Sequence, residues 1–226
     1  MEETTYFVCG GQEQPSWGET GRLGFSFASG GISPPSKHPT GLEWMVLEDS
    51  ILPCEDIHHL VKSVVDTCTS GYRGVICDFE KPPTPPFYDI IRQLGTWLPE
   101  KKRGLMVPAA YDSATHYGFI MGQTSPLSGD FSTQCKKLQN QYKSRLVLEI
   151  SAISMTIKLP FASGAESPAT VQSGGFYSPT LGCNYQFHGD SVSLFDIGNT
   201  MQKRTELAKK IRISRFIGLH QELYTL

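Results

Sequence analysis

Hydrophobic and polar positions along the chain fall into two rhythms that alternate from one end to the other. Short apolar runs bounded by Gly or Pro read as strands. They cover residues 6–9, 22–28, 42–48, 73–80, 105–111, 117–121, 145–150 and 215–219. Between several of them the apolar period lengthens. Ile57, Leu60, Val61, Val64, Val65 and Cys68 mark one stripe of an amphipathic helix, with Pro53, Glu55 and Asp56 suited to its first turn. Phe87, Ile90, Ile91, Leu94 and Leu98 mark a second helix, predicted to stop at Pro99. Phe131, Cys135, Leu138 and Tyr142 mark a third, and Leu207, Ala208 and Ile211 a last one capped by Asn199 or Thr200.

After the seventh strand the rhythm breaks. Two alternating segments, 155–159 and 192–195, enclose some thirty residues rich in Gly, Ser, Pro and Tyr. This predicts a long excursion, with a β-ribbon as one form it could take. About eight strands alternating with helices over 1–226 predict one α/β domain, a short (β/α)8 TIM barrel with that excursion after strand 7.

The segment Arg73-Gly74-Val75-Ile76-Cys77-Asp78-Phe79-Glu80 is the most informative. With a period of two, Ile76, Asp78 and Glu80 share one face of the strand. The two acids lie about 6–7 Å apart by strand rise, close enough to perturb one another. On a partly dry face one stays ionised and the other is pushed towards its protonated form, which is how a general acid is made near neutral pH. An isolated Asp-x-Glu is more often a solvated surface pair. Here the pair ends a hydrophobic strand, where sites on parallel α/β sheets lie.

Composition narrows the function. With 39% hydrophobic and 11% aromatic residues the chain is globular, and a formal net charge of −2 argues against nucleic acid or an anionic membrane as main partner. The longest apolar runs fall short of a membrane span, and the polar start Met1-Glu2-Glu3-Thr4 predicts no secretory signal. Six scattered cysteines without a C-x-x-C pair read as buried reduced thiols in a reducing, cytoplasmic-type compartment. Adjacent His58 and His59 diverge by about 100° on a helix and read as surface residues, so no metal site and no cofactor is predicted. Trp44 and Trp97 fall in core patterns, which leaves Trp17, in a Gly/Ser/Pro loop, as a candidate stacking surface.

The central strand resembles that of the family 18 glycoside hydrolases, the chitinase-like barrels, whose fourth strand carries D-G-x-D-x-D-x-E. Gly74, Asp78 and Glu80 match, whereas Arg73 and Ile76 stand where the family has Asp. Met121-Gly122-Gln123 fits the family's sixth-strand Met-x-Tyr or Met-x-Gln. The closing strand and its capped helix are also similar, although Leu219-His220-Gln221-Glu222-Leu223 lacks the family's Trp under the sugar. The resemblance implies retaining, substrate-assisted hydrolysis of a glycan or oligosaccharide that contains N-acetylhexosamine, chitin-like or peptidoglycan-like. Glu80 would protonate the leaving oxygen and Asp78 would orient the substrate's acetamido group. Gln123 and, by position, Tyr111 would bond the sugar. Glu149, on the seventh strand, could face the barrel as a substrate contact or as part of a structural network.

Two other readings stay open. Ile76 and the missing Trp favour a catalytically inactive barrel that binds a glycan or a protein partner. An unrelated metal-dependent barrel enzyme is the weakest, because no His-x-His or acid–His set falls at predicted strand ends. Without a secretory signal, a glycan hydrolase would either leave by another route or act inside the cell, with storage in a spore and release by lysis both open.

Overall fold

The computed structural model describes residues 4–10, 18–28, 31–34, 42–52, 54, 56–159 and 175–223. Eight parallel strands close into a barrel: β1 (Thr5–Gly10), β2 (Glu19–Arg22), β5 (Trp44–Glu48), β6 (Gly74–Asp78), β7 (Gly104–Pro108), β8 (Phe119–Gly122), β9 (Leu146–Glu149) and β14 (Arg215–Leu219). β1 pairs with β14 and so shuts the ring. Helices α1 (Ile57–Gly71), α2 (Pro85–Glu100), α3 (Phe131–Tyr142) and α4 (Thr200–Lys210) lie between successive barrel strands, and a short α5 (His220–Leu223) follows β14. The stripes read from the sequence are the buried faces of α1 and α2, which pack with the outward side chains of β5, β6 and β7 into one core. Asp56 caps α1 by accepting the His59 N–H at 3.0 Å. Pro53 and Glu55 lie outside the described residues.

β2 is not where its hydrophobic pattern puts it. The alternating run 22–28 does not make one strand. Arg22 ends β2, and Ser26–Ala28 forms β3, which pairs outside the barrel with β4 (Gly31–Ser33). β2 itself reads Glu-Thr-Gly-Arg and has no apolar residue. Its place is fixed by backbone pairing to β1 and β5, and by the close approach of its neighbours over Gly21. A Cβ on Gly21 would stand 2.7 Å from the Cys9 sulfur. Arg22 is buried but paired twice with Glu43, at 3.0 and 2.7 Å. β7 also stops at Pro108, three residues early, and the chain turns into a 3-10 stretch over Ala109–Ala114.

The excursion holds a four-stranded antiparallel sheet in the order β10 (Ser154–Lys158), β13 (Ser191–Phe195), β12 (Cys183–His188) and β11 (Phe176–Ser178). It is fastened to the barrel through Asp196, just after β13. One Asp196 oxygen accepts the Ile153 N–H at 2.9 Å and pairs with Arg204 of α4 at 3.0 Å. Arg204 also donates to the Ser151 carbonyl at 2.6 Å. All six cysteines are free thiols, five of them buried. Burial pushes Cys9, Cys68, Cys135 and Cys183 up to about 12, so they pack rather than react. No helix among the described residues is long and apolar enough to cross a membrane.

The barrel interior is filled by Phe7, Trp44, Met106, Val46, Ile76 and Ile217, with Val46 two residues beyond Trp44 on β5 and Ile76 beside it on β6. Trp44 needs room that only glycine leaves. Its ring lies against Gly74 and Gly104, where a Cβ would land on ring carbons, and its Nε1 donates to Glu19 at 2.7 Å. Gly104→Ala is therefore expected to lower stability by about 1–3 kcal/mol through overpacking, read as a lower urea midpoint at unchanged slope.

Candidate active site

Side chains on β6 alternate as the sequence predicts. Ile76 is fully buried in the barrel interior, Asp78 stands above it at the rim, and Glu80 follows, exposed at the mouth. Between them Phe79 turns outward, its ring tilted against Phe87 with centroids 4.5 Å apart, and so pins the strand end to α2. One residue beyond Glu80, the Lys81 N–H donates to an Asp49 carboxylate oxygen at 3.0 Å, which fixes the backbone that carries Glu80.

Two cavities open at this end of the barrel, of about 520 and 330 Å³, and both are lined by Asp78, Glu80, Met121 and Glu149. The larger extends outward past Gln123, Pro82 and Pro108. The smaller descends to Ile76, Val46 and Ile217 and is walled by Ser151, Leu219 and Glu222. The site is thus an apolar well with a rim of carboxylates. It faces the carboxyl ends of the strands, where connecting loops can shape it without disturbing the core.

Burial raises the Asp78 carboxyl to about 6, helped by the charges of Glu149, Glu80, Glu48 and Asp49. The Glu149 carboxyl is also raised, first by burial, although the Gln123 amide that donates to it at 2.7 Å opposes this. Both acids keep their proton to higher pH than a surface carboxylate does. A raised folded-state value means that the fold binds the Asp78 proton more tightly than the unfolded chain. The Asp78 contribution is therefore fully present below about pH 4 and is lost as pH rises through about 6. Asp78→Asn removes that loss. It is expected to stabilise the protein by about 1–2 kcal/mol above pH 6.5, after allowance for partial exposure, and by little at pH 4. Paired thermal melts across this range check it. A gain of equal size at both ends would mean that Asp78 is not the titrating group.

Asp78, Glu80, Gln123 and Glu149 all line the larger cavity. Tyr111 does not join them. Because β7 ends at Pro108, Tyr111 lies in the 3-10 stretch, fully buried among Phe79, Phe87 and Tyr88, with its hydroxyl 3.5 Å from the Lys81 carbonyl. There it supports the backbone beyond Glu80 and lines neither cavity. Trp17 lies outside the described residues. Glu222 was missed as a site residue: it lines the inner cavity and accepts the Ala152 N–H at 3.1 Å. Its signal was an acid three residues beyond a barrel strand. Glu48 and Asp49 were missed too, although Glu48 is the register partner of Asp78. No cluster of potential metal ligands occurs among the described residues.

No protein-family model matches the chain, and no curated protein matches it in sequence. Solved structures do match it in shape. A glycoside hydrolase family 18 N-acetylglucosaminidase from Paenibacillus barengoltzii superposes with a TM-score of 0.64 at 10% identity, covering 95% of this chain and 94% of that one. The fold is the chitinase-like barrel. The spore cortex-lytic enzyme SleL of Bacillus megaterium QM B1551 gives 0.60 at 11% identity, over 95% of this chain and 70% of that one. A chitinase-like agglutinin from Robinia pseudoacacia gives 0.59 at 12%, over 94% and 93%. In this barrel Asp78 and Glu80 lie at the rim, and Ile76, two residues before Asp78 on the same strand, is fully buried below it.

Proposed function

We propose that this chain is a glycoside hydrolase acting on an N-acetylhexosamine-containing glycan, chitin-like or peptidoglycan-like, by a retaining, substrate-assisted mechanism. The observation that carries the reading is the placement of Asp78 and Glu80, one above the other, at the mouth of a cavity with an apolar floor. Glu80, at the rim, donates its proton to the glycosidic oxygen as the bond to the anomeric carbon breaks. The substrate's acetamido oxygen closes on that carbon from the opposite face, and the leaving sugar departs as an alcohol. Asp78 accepts a hydrogen bond from the acetamido N–H and aligns the carbonyl for attack. Glu80, now a carboxylate, takes a proton from water, and that water opens the cyclic intermediate with net retention. Gln123, exposed beside Glu149, is the sugar-bonding side chain of the outer cavity.

A spore, or release by lysis, is the setting we propose; SleL, similar in fold, is a spore cortex-lytic enzyme. A second reading, a barrel that holds a glycan without cleaving it, is favoured by Ile76, which gives Asp78 no hydrogen-bonding partner from below. The two separate in one experiment. Chromogenic N-acetylglucosaminide oligomers of increasing length are incubated with the purified protein, and turnover and binding are measured side by side. Turnover supports the hydrolase. Binding without turnover supports the second reading, and neither would overturn both for these sugars.

A further inference from the structure

We propose that the inner cavity is an acyl pocket, which takes the N-acyl chain of a bound hexosamine and has room for neutral chains longer than acetyl. The inference rests on the hydrolase reading for the place of the sugar's amide, at Asp78, and adds what lies beyond that amide.

The period of two on the barrel strands builds the cavity. On β6 Ile76 comes two residues before Asp78, and on β14 Ile217 comes two residues before Leu219. Each strand thus sets an apolar residue below and a rim residue above, about 6–7 Å apart along the strand. Val46, the register partner of Ile76, completes the floor with Met121 and the Cys9 thiol. Leu219 stands in the wall and is 36% exposed, an apolar side chain left open in a site that is otherwise rimmed by acids.

Size and charge then choose the occupant. An apolar cavity of about 150 Å³ holds benzene, a molecule of six carbons. The inner cavity measures about 330 Å³, whereas an acetyl group brings only two carbons. Acetyl would leave much of the space to water lying on Val46, Ile76 and Ile217, which offer it no side-chain hydrogen bond. Methylenes that displace such water gain affinity. Four carboxyls, Asp78, Glu80, Glu149 and Glu222, line the cavity, and among the described residues that line it none is basic. A chain that ends in a carboxylate is therefore repelled, and a neutral one is not. Asp78 also lines the outer cavity with Gln123. A sugar ring in the outer cavity and its acyl chain in the inner one meet at that carboxyl. Ile76 keeps the floor apolar, where an Asp would bring a polar group into it.

The test varies the chain and leaves the amide unchanged. Methyl β-glucosaminides carrying N-acetyl, N-propanoyl, N-butanoyl, N-hexanoyl or N-succinyl groups are titrated into the protein by calorimetry at pH 7. The matching nitrophenyl glycosides report turnover. Affinity is expected to rise about three- to fourfold per methylene from acetyl to butanoyl. The N-succinyl sugar is expected to bind at least about tenfold more weakly than the N-butanoyl one. Ile76→Phe, which fills the floor, is expected to flatten the rise; where that variant does not fold, the parent series decides alone. Affinity that stays level or falls beyond acetyl overturns the proposal, as does N-succinyl binding as tightly as N-butanoyl, or no binding by any member. Binding that climbs with chain length while no glycoside is turned over would sink the hydrolase reading and leave the acyl pocket standing. Turnover of the N-acetyl glycoside with a level series does the reverse.

Discussion

Glu80→Gln is expected to cut turnover of unactivated N-acetylglucosaminide oligomers by about 10²–10⁴-fold, the usual contribution of a positioned general acid. The side chain is exposed at the barrel mouth. The amide is nearly isosteric, so thermal stability should change by less than about 0.5 kcal/mol and a folding defect would not mimic the loss. Gln can donate a hydrogen bond but cannot transfer a proton, so the deficit should depend on the leaving group. A sugar alcohol needs the proton as the bond breaks. A nitrophenolate needs it far less, and on nitrophenyl substrates the variant should lose much less of its rate. Equal losses on both substrate types would point away from acid catalysis and towards a role in binding. Retention of full activity on oligomers would remove Glu80 from the mechanism.

The second large effect is on stability. Arg204 and Asp196 form a pair whose side chains are only 3% and 8% exposed. Burial raises the Asp196 carboxyl, and Arg204 and the Ile153 N–H oppose that rise. Removing the cation alone, as in Arg204→Met, leaves a buried carboxylate and an unmet Ser151 carbonyl. The expected cost is about 3–5 kcal/mol, or a fall in Tm on the order of 10 °C for a chain of this size. Replacing both partners, Arg204→Met with Asp196→Leu, should recover much of the loss, because the penalty lies in the orphaned charge rather than in the missing attraction. A single variant that melts within 2 °C of the parent would show that water reaches the pair and screens it. The pair also has a functional address. Ser151 lines the inner cavity, so a loosened excursion would alter the mouth of the barrel as well as its stability.

How far the sequence could be read depended on what placed each element. Segments that bury side chains announced themselves: β1, β6, β9 and β14, and the stripes of α1 and α2, fall where periodicity puts them, because hydrophobic burial sets both pattern and position. β2 gave no such signal, since Glu19-Thr20-Gly21-Arg22 is held by backbone pairing, a glycine contact and an ion pair that forms only once Glu43 is folded nearby. Tyr111 was misplaced because an apolar run does not reveal where a strand gives way to a turn. In the site, Asp78 and Glu80 were legible because they lie on one strand and obey its period of two. Glu149, Gln123 and Glu222 meet them from β9, from the residue after β8 and from α5, and that convergence is a property of closure, not of any local stretch.

Closure itself has a consequence for the growing polypeptide. β1 pairs on one side with β2 and on the other with β14, so one of its hydrogen-bonding edges waits for residues made some two hundred positions later. At ribosomal speeds that wait is on the order of 10–40 s, long compared with the collapse of the helices and strands in between. During it, the nascent chain carries an unsatisfied row of amides on Thr5–Gly10, with Phe7 and Val8 among them. Polar β2 already covers the other edge of β1, so the open seam of this half-built ring lies between β1 and β9. Synthesis that stalls before β14 should therefore leave an intermediate open along one seam, a state in which β1 is the segment a chaperone would hold.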